Sequence, residues 1–504
     1  MKMKKIFAVA ATTLFLGTAF VGCGESGVGA EEGWDSLASG ETVQITFVGR
    51  DVETEKANYQ AFLNDFNSTH DNIVATLNWY TETTAYNTML DGSGDKLPDV
   101  FMLSNAMFIN YAANGRLANI RPYLEESVLD NMYEDGYEVY YFDHTTKTVG
   151  KSANAALYGL PKDEGPYALC VNETLLKDTV NSYNTAHPDD KIDIDTIMSA
   201  TEPMKFNYFL EVGKKLKSAL GNNQYVCAGY DIQSLIYSNN ANYFTDDSGK
   251  VSDIDSENFI EAVEYMQTLY KEGVIPEAGT VGGEKLFTAG NALFFYAGPW
   301  KQKDYWEVCD FDWNILPVLC GEAEGAVSTA YIGGMCYAIS ATCKYKDAAL
   351  ELVKYLATDS TAQRTQYKRG QCIPNLISLA EEYSTDSRDL IKDYLGLSGN
   401  KVAEPSNRGV WIDAVDGVGT EKTDANGNTY IDKVTGKYRA ESFTYNDNWF
   451  TLLTKYMEGD TGNYGSFWEK KSNGSWTNVG DALKAYKSSM QSELNRLTQR
   501  LERL

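Results

Sequence analysis

The residue types that most often carry out catalysis are sparse in this sequence. It contains three histidines, His70, His144 and His187, and no HExxH, GxSxG or GxxxxGK(S/T) motif. The sequence therefore lacks the usual motifs of metal-dependent catalysis, acyl transfer and nucleotide binding. Paired carboxylates could serve a glycoside hydrolase, but 70 acidic residues provide pairs by chance, so only geometry could identify one. We expect a protein that is not an enzyme and that uses no cofactor.

One acidic segment has the spacing of a metal loop. Residues 424–432 (DANGNTYID) place oxygen ligands at alternate positions, as in the first part of a calcium loop. Thr435 stands at the twelfth position, where such a loop has a bidentate glutamate. A β-hairpin that turns at Asn426 and Gly427 explains the same residues and is the favoured interpretation, with calcium binding as the alternative. No other metal site is expected.

Aromatic residues are the stronger chemical signal. The chain has 9 Trp, 34 Tyr and 20 Phe, and several lie in loop-like contexts. A sugar offers an apolar C–H face to a ring and a rim of hydroxyl groups to Asp, Asn, Glu and Arg side chains. This composition suits a site that recognises a sugar by shape and stacking. The alternative is that most of these rings belong to the core or to contacts between domains.

Length and charge limit the classes of partner. A chain of 504 residues suggests two to four domains with ample core. With 44 Lys and Arg against 70 Asp and Glu, the net charge is −26, which disfavours nucleic acid because such binding requires a basic face. Seven cysteines beyond residue 23 are widely spaced and mostly lie in apolar runs. We interpret them as buried thiols rather than as a disulfide framework.

The N-terminus has the features of a targeting segment. Lys2, Lys4 and Lys5 precede an apolar run at residues 6–20, which has the length of a signal peptide and is too short for an ordinary membrane span. Residues 20–23 (FVGC) resemble a bacterial lipobox, although Phe20 replaces the usual leucine. The resemblance implies that residues 1–22 are removed and that Cys23 is diacylated, for example with palmitate. Residues 23–42 then form a flexible tether. An ordinary signal peptide is the alternative.

The chain that follows alternates between strand and helix patterns. Val43, Ile45 and Phe47 alternate as in a strand, and an amphipathic helix follows over residues 57–66. Further strands are predicted at residues 73–79 and 100–103. These intervals are typical of βαβ units, so we predict an α/β fold with a largely parallel sheet.

Two later helices have clear start signals. Ser256 precedes an apolar face that ends before Gly273. Asn478 precedes a long C-terminal helix with Asp481 three residues on. The apolar face of that helix could form a short coiled coil, but packing on its own domain is favoured.

Several short motifs occur in order along the chain. They are 94–100 (GDKLPDV), 114–117 (NGRL) with 122–124 (PYL), 158–161 (YGLP), 171–175 (VNETL), 287–292 (FTAGNA), 297–300 (AGPW), 313–317 (WNILP), 332–334 (IGG) and 338–340 (AIS). With them, residues 43–397 and the chain from Trp449 resemble the bacterial extracellular solute-binding proteins of carbohydrate ABC transporters, the family that includes maltose-binding protein. Residues 400–445 depart from the family and are predicted to be an insertion.

The resemblance implies a periplasmic-binding-protein-like fold. Two α/β lobes are joined by a hinge of several crossings, and the ligand lies in the cleft between them. Lobe one is predicted at residues 43–164 and 333–372, and lobe two at residues 165–332 and 373–504.

The resemblance also implies a set of ligand-binding residues. Trp300 occupies the position of the family's sugar-stacking tryptophan. The polar contacts implied are Asp51 after the first strand, Asn105 after the third and Asp231 in the second lobe. A further aromatic contact is implied from Trp411 or Trp449. The complete set of predicted ligand-binding residues is Trp300, Asp51, Asn105, Asp231, Trp411, Trp449 and Gly334.

The function expected from these features is capture of an oligosaccharide by a monomeric, lipid-anchored protein on the outer face of the cell membrane, with delivery to the permease subunits of an ABC transporter. A cell-surface glycan-degrading lipoprotein is one alternative. A binder of a non-sugar solute such as a peptide is another. The sequence does not identify the sugar, its linkage or its length.

Overall fold

The computed structural model describes residue 34 and residues 41–51, 53–94, 96–246, 249–277, 282–385, 405–416, 420–423, 429–432, 435–438 and 447–504. For residues 416–448 this description is limited to the backbone. The predicted signal peptide, the lipidation at Cys23 and the turn at Asn426 and Gly427 lie outside the described residues.

The elements alternate between strand and helix along most of the chain. The strands are β1 (Val43–Arg50), β2 (Ile73–Tyr80), β3 (Val100–Ser104), β4 (Tyr141–Asp143), β5 (Thr148–Val149), β6 (Ala156–Leu157), β7 (Gly159–Pro166), β8 (Ala168–Asn172), β9 (Tyr225–Cys227), β10 (Ala292–Ala297), β11 (Trp313–Leu316), β12 (Thr329–Ile339), β13 (Thr420–Thr423), β14 (Thr429–Asp432) and β15 (Thr435–Tyr438). The helices are α1 (Glu53–Thr69), α2 (Thr83–Gly92), α3 (Asn105–Ala113), α4 (Glu126–Leu129), α5 (Glu134–Glu138), α6 (Glu173–Ala186), α7 (Ile194–Ile197), α8 (Phe206–Ala219), α9 (Ile232–Ser238), α10 (Glu257–Lys271), α11 (Gly283–Thr288), α12 (Gln302–Val308), α13 (Lys346–Thr358), α14 (Ser360–Lys368), α15 (Ala380–Thr385), α16 (Gly409–Asp416), α17 (Asp447–Glu458) and α18 (Val479–Glu502). Short 3-10 helices cover Arg121–Tyr123, Pro299–Lys301 and Ile377–Leu379.

The first sheet contains the predicted βαβ units. Strand β1 pairs in parallel with β2 and with β3, and α1 and α2 form the connections. Strand β12 then lies antiparallel to β3 on one side and to β7 on the other. The sheet is therefore mixed rather than largely parallel, because β12 enters it from the opposite direction.

The second sheet has the order β11-β8-β10-β9. Strand β8 is antiparallel to both of its neighbours, and β9 and β10 are parallel. Tyr167 is the single residue between β7 and β8, so the chain passes there from the first sheet to the second. The lobe boundaries stay a prediction; Tyr383 and Trp411, from the segment assigned to lobe two, pack in the same buried cluster as β1, β3 and β12.

The segment predicted as an insertion contributes to the first sheet. Strands β13 and β14 pair antiparallel with Thr423 opposite Thr429, as in the predicted hairpin. Strand β15 pairs in parallel with the start of β12 and forms an edge of the first sheet.

The C-terminal helix begins where the sequence predicts. Asn478 Oδ1 accepts a hydrogen bond from the Asp481 amide at 2.9 Å. Its apolar face, including Leu483, Met490 and Leu494, packs in one buried cluster with α10 and α17. Helix α10 also begins directly after Ser256, although the Ser256 side chain makes no capping hydrogen bond.

The seven described cysteines are all buried and unpaired, which confirms the interpretation from sequence. They are Cys170, Cys227, Cys309, Cys320, Cys336, Cys343 and Cys372. Burial raises the pKa of Cys227, Cys309 and Cys343 to about 12. Within the ranges given above, no helix is long and apolar enough to cross a membrane.

Candidate ligand-binding site

Three predicted polar and backbone positions meet at one edge of the first sheet. Ser104 at the end of β3 lies opposite Met335 of β12, so Asn105 follows beside Gly334. Asp51 directly follows β1, which runs parallel to β3. The carboxyl ends of neighbouring parallel strands are where α/β sheets usually bind ligands. Asp51, Asn105 and Gly334 therefore define one candidate edge, which we call the first-sheet edge.

Trp300 reaches the same edge from the second sheet. It follows β10 in the 3-10 helix that starts at Pro299, and its side chain is 38% exposed. A Cβ atom on Gly165 would lie 2.9 Å from Trp300 Cζ3, so the indole packs directly over the β7 backbone there. The ring also leaves no room for a Cβ on Gly298. Glycine at these positions therefore allows the close approach of the indole.

One tyrosine that sequence reasoning did not select packs against this indole, and two more pack against that tyrosine. The ring centroid of Tyr167 lies 5.3 Å from that of Trp300 in an edge-on arrangement. Tyr296 and Tyr331 lie 5.1 Å and 5.8 Å from Tyr167. We call these four residues the Trp300 aromatic group. The structure places Tyr167 between β7 and β8, Tyr296 in β10 and Tyr331 in β12, and no sequence motif marked these three tyrosines.

Asp231 lies beside the Trp300 aromatic group and caps the N-terminus of a helix. Its Oδ2 accepts hydrogen bonds from the Ser234 amide and hydroxyl, each at 2.7 Å, and so caps α9. Ser234 Oγ in turn accepts from the Tyr331 amide at 3.0 Å. Burial and then the negative charge of Asp231 raise the pKa of Tyr296 above its usual range. A contact between Asp231 and a ligand stays a prediction.

Two polar side chains at the first-sheet edge are available to a ligand. Asn105 begins α3, and its Nδ2 is buried without a hydrogen-bond acceptor in the described part of the chain. Buried polar groups normally have partners, so this amide suits a ligand oxygen. Asp163 lies two residues before Gly165 on β7, on the face that Trp300 covers, and its side chain is 15% exposed. Asp163 was missed in the sequence, where nothing distinguishes it from the other acidic residues.

Trp411 and Trp449 lie elsewhere. They are 1% and 0% exposed, respectively. Trp449 Nε1 donates to the Met490 carbonyl at 3.2 Å, and its ring lies 5.1 Å from Phe244. The structure thus does not bring either ring to the first-sheet edge as an exposed surface. Their assignment as ligand contacts stays a prediction.

Metal-ligating groups and two cavities can be compared with the first-sheet edge. No group of three or more His, Cys, Asp or Glu side chains in those ranges could hold a metal ion. The side chains of residues 424–432 lie outside the description. One cavity of about 480 Å³ is lined by residues between 237 and 258, and another of about 330 Å³ by residues of β1, β2 and the segment 89–99. Neither cavity contains a predicted ligand-binding residue.

Known proteins resemble both the sequence and the structure. A galactooligosaccharide-binding protein of Bacillus subtilis is 29% identical over 136 residues, which is 26% of this chain and 31% of the relative's length. An ABC substrate-binding protein of Listeria monocytogenes in complex with cycloalternan has a TM-score of 0.62 at 14% identity, covering 90% of this chain and 100% of that one. UgpB of Mycobacterium tuberculosis in complex with glycerophosphocholine has a TM-score of 0.64 at 14% identity, with coverage of 90% and 99%.

At such identities the likeness concerns the fold alone, and it confirms the predicted periplasmic-binding-protein-like fold. The family comparison covers more of the sequence. Residues 61–390 match the family described as bacterial extracellular solute-binding protein, and the chain belongs to that family.

Proposed function

We propose that this protein is a lipid-anchored solute-binding protein on the outer face of the cell membrane, which captures an oligosaccharide and delivers it to an ABC-transporter permease. The observation that carries the proposal is the exposed Trp300 indole, which packs over Gly165. Gly165 lies opposite Gly333 of β12, next to Gly334 at the first-sheet edge. An aromatic face with hydrogen-bonding groups at its rim matches the two surfaces of a sugar ring. The ligands in the names of the Bacillus and Listeria relatives support the same class.

The mechanism we propose is closure of two lobes around the sugar. Lobe one comprises residues 43–164 and 333–372, and lobe two comprises residues 165–332 and 373–504. Trp300 follows β10 of the second sheet and packs over Gly165 in β7, directly after the proposed lobe boundary, so a sugar stacked on it would lie at that boundary. The open form binds, the closed form buries the ligand, and only the closed monomer docks productively on the permease.

A thermal-shift panel tests the ligand class. Galacto-oligosaccharides, malto-oligosaccharides and cycloalternan should include at least one compound that stabilises the protein, since a ligand at 100 times its Kd adds about 2.7 kcal/mol. Trp300→Ala should lose most of this shift. Trp476→Ala is the matched control, because Trp476 is a half-buried tryptophan that packs near Lys271. Equal loss in both variants, or no shift with any glycan, would contradict the proposal.

A reducing-sugar assay on the same glycans separates binding from hydrolysis. A binding protein releases no new reducing ends, however long the incubation. Release in proportion to protein concentration would instead favour a glycan-degrading lipoprotein.

Solution scattering tests closure. The radius of gyration should fall when a stabilising glycan is added, without a change in molecular mass. An unchanged curve for a protein that is open without ligand would contradict the closing cleft.

The membrane anchor is tested at Cys23. A cysteine with two acyl chains anchors stably, whereas a single chain gives reversible binding. Cys23→Ser should therefore move the protein from the membrane fraction to the supernatant. Retention of the variant after a salt wash would overturn the lipoprotein assignment.

A further inference from the structure

A β-bulge on β7 directs a lysine into the protein interior. Pro161 lies opposite Cys336 and Asp163 lies opposite Met335, so Lys162 is the extra residue of the strand. Such bulges re-aim side chains. The Lys162 side chain is only 4% exposed. A buried ammonium group requires charged partners. The partners of Lys162 therefore indicate the role of the bulge.

Lys162 contacts the carboxyl groups of two acidic residues that lie on different elements. Its Nζ lies 2.6 Å from Asp163 Oδ2 and 3.2 Å from Glu55 Oε1. Glu55 lies in the first turn of α1, and its side chain is 6% exposed. The lysine therefore connects the face of β7 that bears Trp300 with the start of α1, which follows Asp51.

Burial favours the protonated form of Glu55. Its Oε2 is buried and receives no hydrogen bond from a donor among the described residues, and the carboxyl group of Asp51 is its neighbour. Burial raises the pKa of Glu55 to about 8, against the lowering effect of Lys162, and hydrogen bonding to Asp51 adds to the rise. Two adjacent carboxyl groups form a hydrogen bond only when one carries the proton. Glu55 is thus the donor and Asp51 the acceptor.

The remaining groups around Glu55 do not compete for this role. The titratable and charged groups that face it are Asp51 after β1, Lys162 and Asp163 on β7, Tyr59 on α1, Tyr337 on β12 and Cys372 after α14. Tyr59 and Tyr337 share a hydrogen bond of 2.6 Å between their hydroxyl groups. Cys372 Sγ accepts from Gln366 Nε2 at 2.6 Å. Lys162 is the only cation in this set.

We propose that Glu55 and Lys162 are positioning residues that hold Asp51 and Asp163 as a pair of hydrogen-bond acceptors for a neutral sugar stacked on Trp300. This inference rests on the proposed function. The carboxylates of Asp51 and Asp163 outnumber the one cation, so the site carries a net negative charge. It accepts hydroxyl groups and repels uronic acids and phosphate esters.

The affinity for the sugar should depend on pH, because only protonated Glu55 can donate a hydrogen bond to Asp51. Above the pKa of Glu55, its ionised carboxylate repels Asp51 in place of donating to it. If only the protonated form binds, the competent fraction falls about tenfold between pH 7 and pH 9, and the Kd rises by the same factor.

The first experiment needs no ligand. Infrared spectra of the full chain should show a buried protonated carboxyl band at pH 7 that disappears by pH 9.5. Glu55→Gln should lack the band, and Glu53→Gln, a change of an exposed residue in the same helical turn, should retain it. A band that persists in Glu55→Gln would overturn the assignment of the proton.

The second experiment is calorimetric titration with galacto-oligosaccharide, malto-oligosaccharide, cycloalternan and trigalacturonate. Wild type and Glu53→Gln should bind a neutral glycan about tenfold more weakly at pH 9 than at pH 7. Glu55→Ala should bind at least tenfold more weakly at pH 7. Glu55→Gln should restore affinity and lose the pH dependence, because its amide donates to Asp51 at every pH. Lys162→Met should weaken binding if the variant folds.

The outcomes separate the two proposals. If wild type binds no neutral glycan at any pH, the proposed function fails and this inference fails with it. If wild type binds a neutral glycan but Glu55→Gln keeps the pH dependence, or if trigalacturonate binds as tightly, only this inference is overturned.

Discussion

Trp300 and Trp449 show how differently one residue type is used in two regions of the molecule. Trp300 follows a glycine and a proline at the end of β10, and more than a third of its side chain is exposed. Trp449 lies in α17, where it is fully buried against Phe244 and donates to the Met490 carbonyl. A stiff turn displays an indole, whereas an amphipathic helix buries it. The two residues should therefore affect binding and stability separately.

The largest effect is expected at Trp449. Trp449→Ala leaves a cavity in the cluster formed by α10, α17 and α18, and such truncations cost about 3–5 kcal/mol of unfolding free energy. Urea denaturation measures this loss. The folded fraction of the variant should bind glycan with wild-type affinity. If stability is kept while affinity falls, Trp449 lines the binding site and the contrast between the regions is wrong.

Trp300→Ala should give the opposite result. Loss of an aromatic anchor costs about 2 kcal/mol of binding free energy, a factor of about 30 in Kd. The melting temperature without ligand should change little, because the ring is partly exposed. A sharp fall in melting temperature with normal binding would identify Trp300 as a core residue.

The free energy of unfolding should also depend on pH through Glu55. Folded Glu55 keeps a proton up to a pKa of about 8, whereas an unfolded carboxyl releases it near 4.5. The contribution of Glu55 to stability is therefore full below pH 4.5 and is lost as pH rises toward 8, at up to about 1.4 kcal/mol per pH unit. Urea denaturation across this range should give a flatter profile for Glu55→Gln than for Glu53→Gln. Identical profiles would contradict the shifted pKa.

The smallest effect concerns the helix starts of the C-terminal cluster. Asn478→Ala removes the hydrogen bond to the Asp481 amide and should cost about 1 kcal/mol. Ser256→Ala should cost less, because Ser256 makes no capping hydrogen bond. If both variants lose the same free energy of unfolding in denaturation experiments, Ser256 and Asn478 stabilise their helices equally in solution, contrary to this prediction.

The sequence predicted the parts of the fold that depend on local periodicity. The apolar alternation of Val43, Ile45 and Phe47 and the cap at Asn478 both appear as expected. The direction of β12 was not predictable, since strand pairing over long separations leaves no local pattern. The same holds for β15, which joins the sheet from the segment predicted to be an insertion.

The ligand-binding residues predicted from the family resemblance stay predictions. The resemblance implied Trp300 through the AGPW motif, and it implied Asp51 and Asn105 through their positions after strands. Glu55, Lys162 and Asp163 were not identified, because a register shift between β7 and β12 brings them together. Trp411 and Trp449 are buried, which depends on packing that the sequence alone does not reveal, and their assignment as ligand contacts stays a prediction.

The buried cysteines have a practical consequence. The thiolate form of a cysteine attacks thiol reagents, and burial both excludes the reagent and disfavours the thiolate form of these cysteines. Modification of the native chain at the seven described positions should then proceed only as fast as the structure opens. Cys336 belongs to the first sheet and Cys170 to the second. The order in which a mass spectrometer finds them alkylated would reveal which sheet opens first.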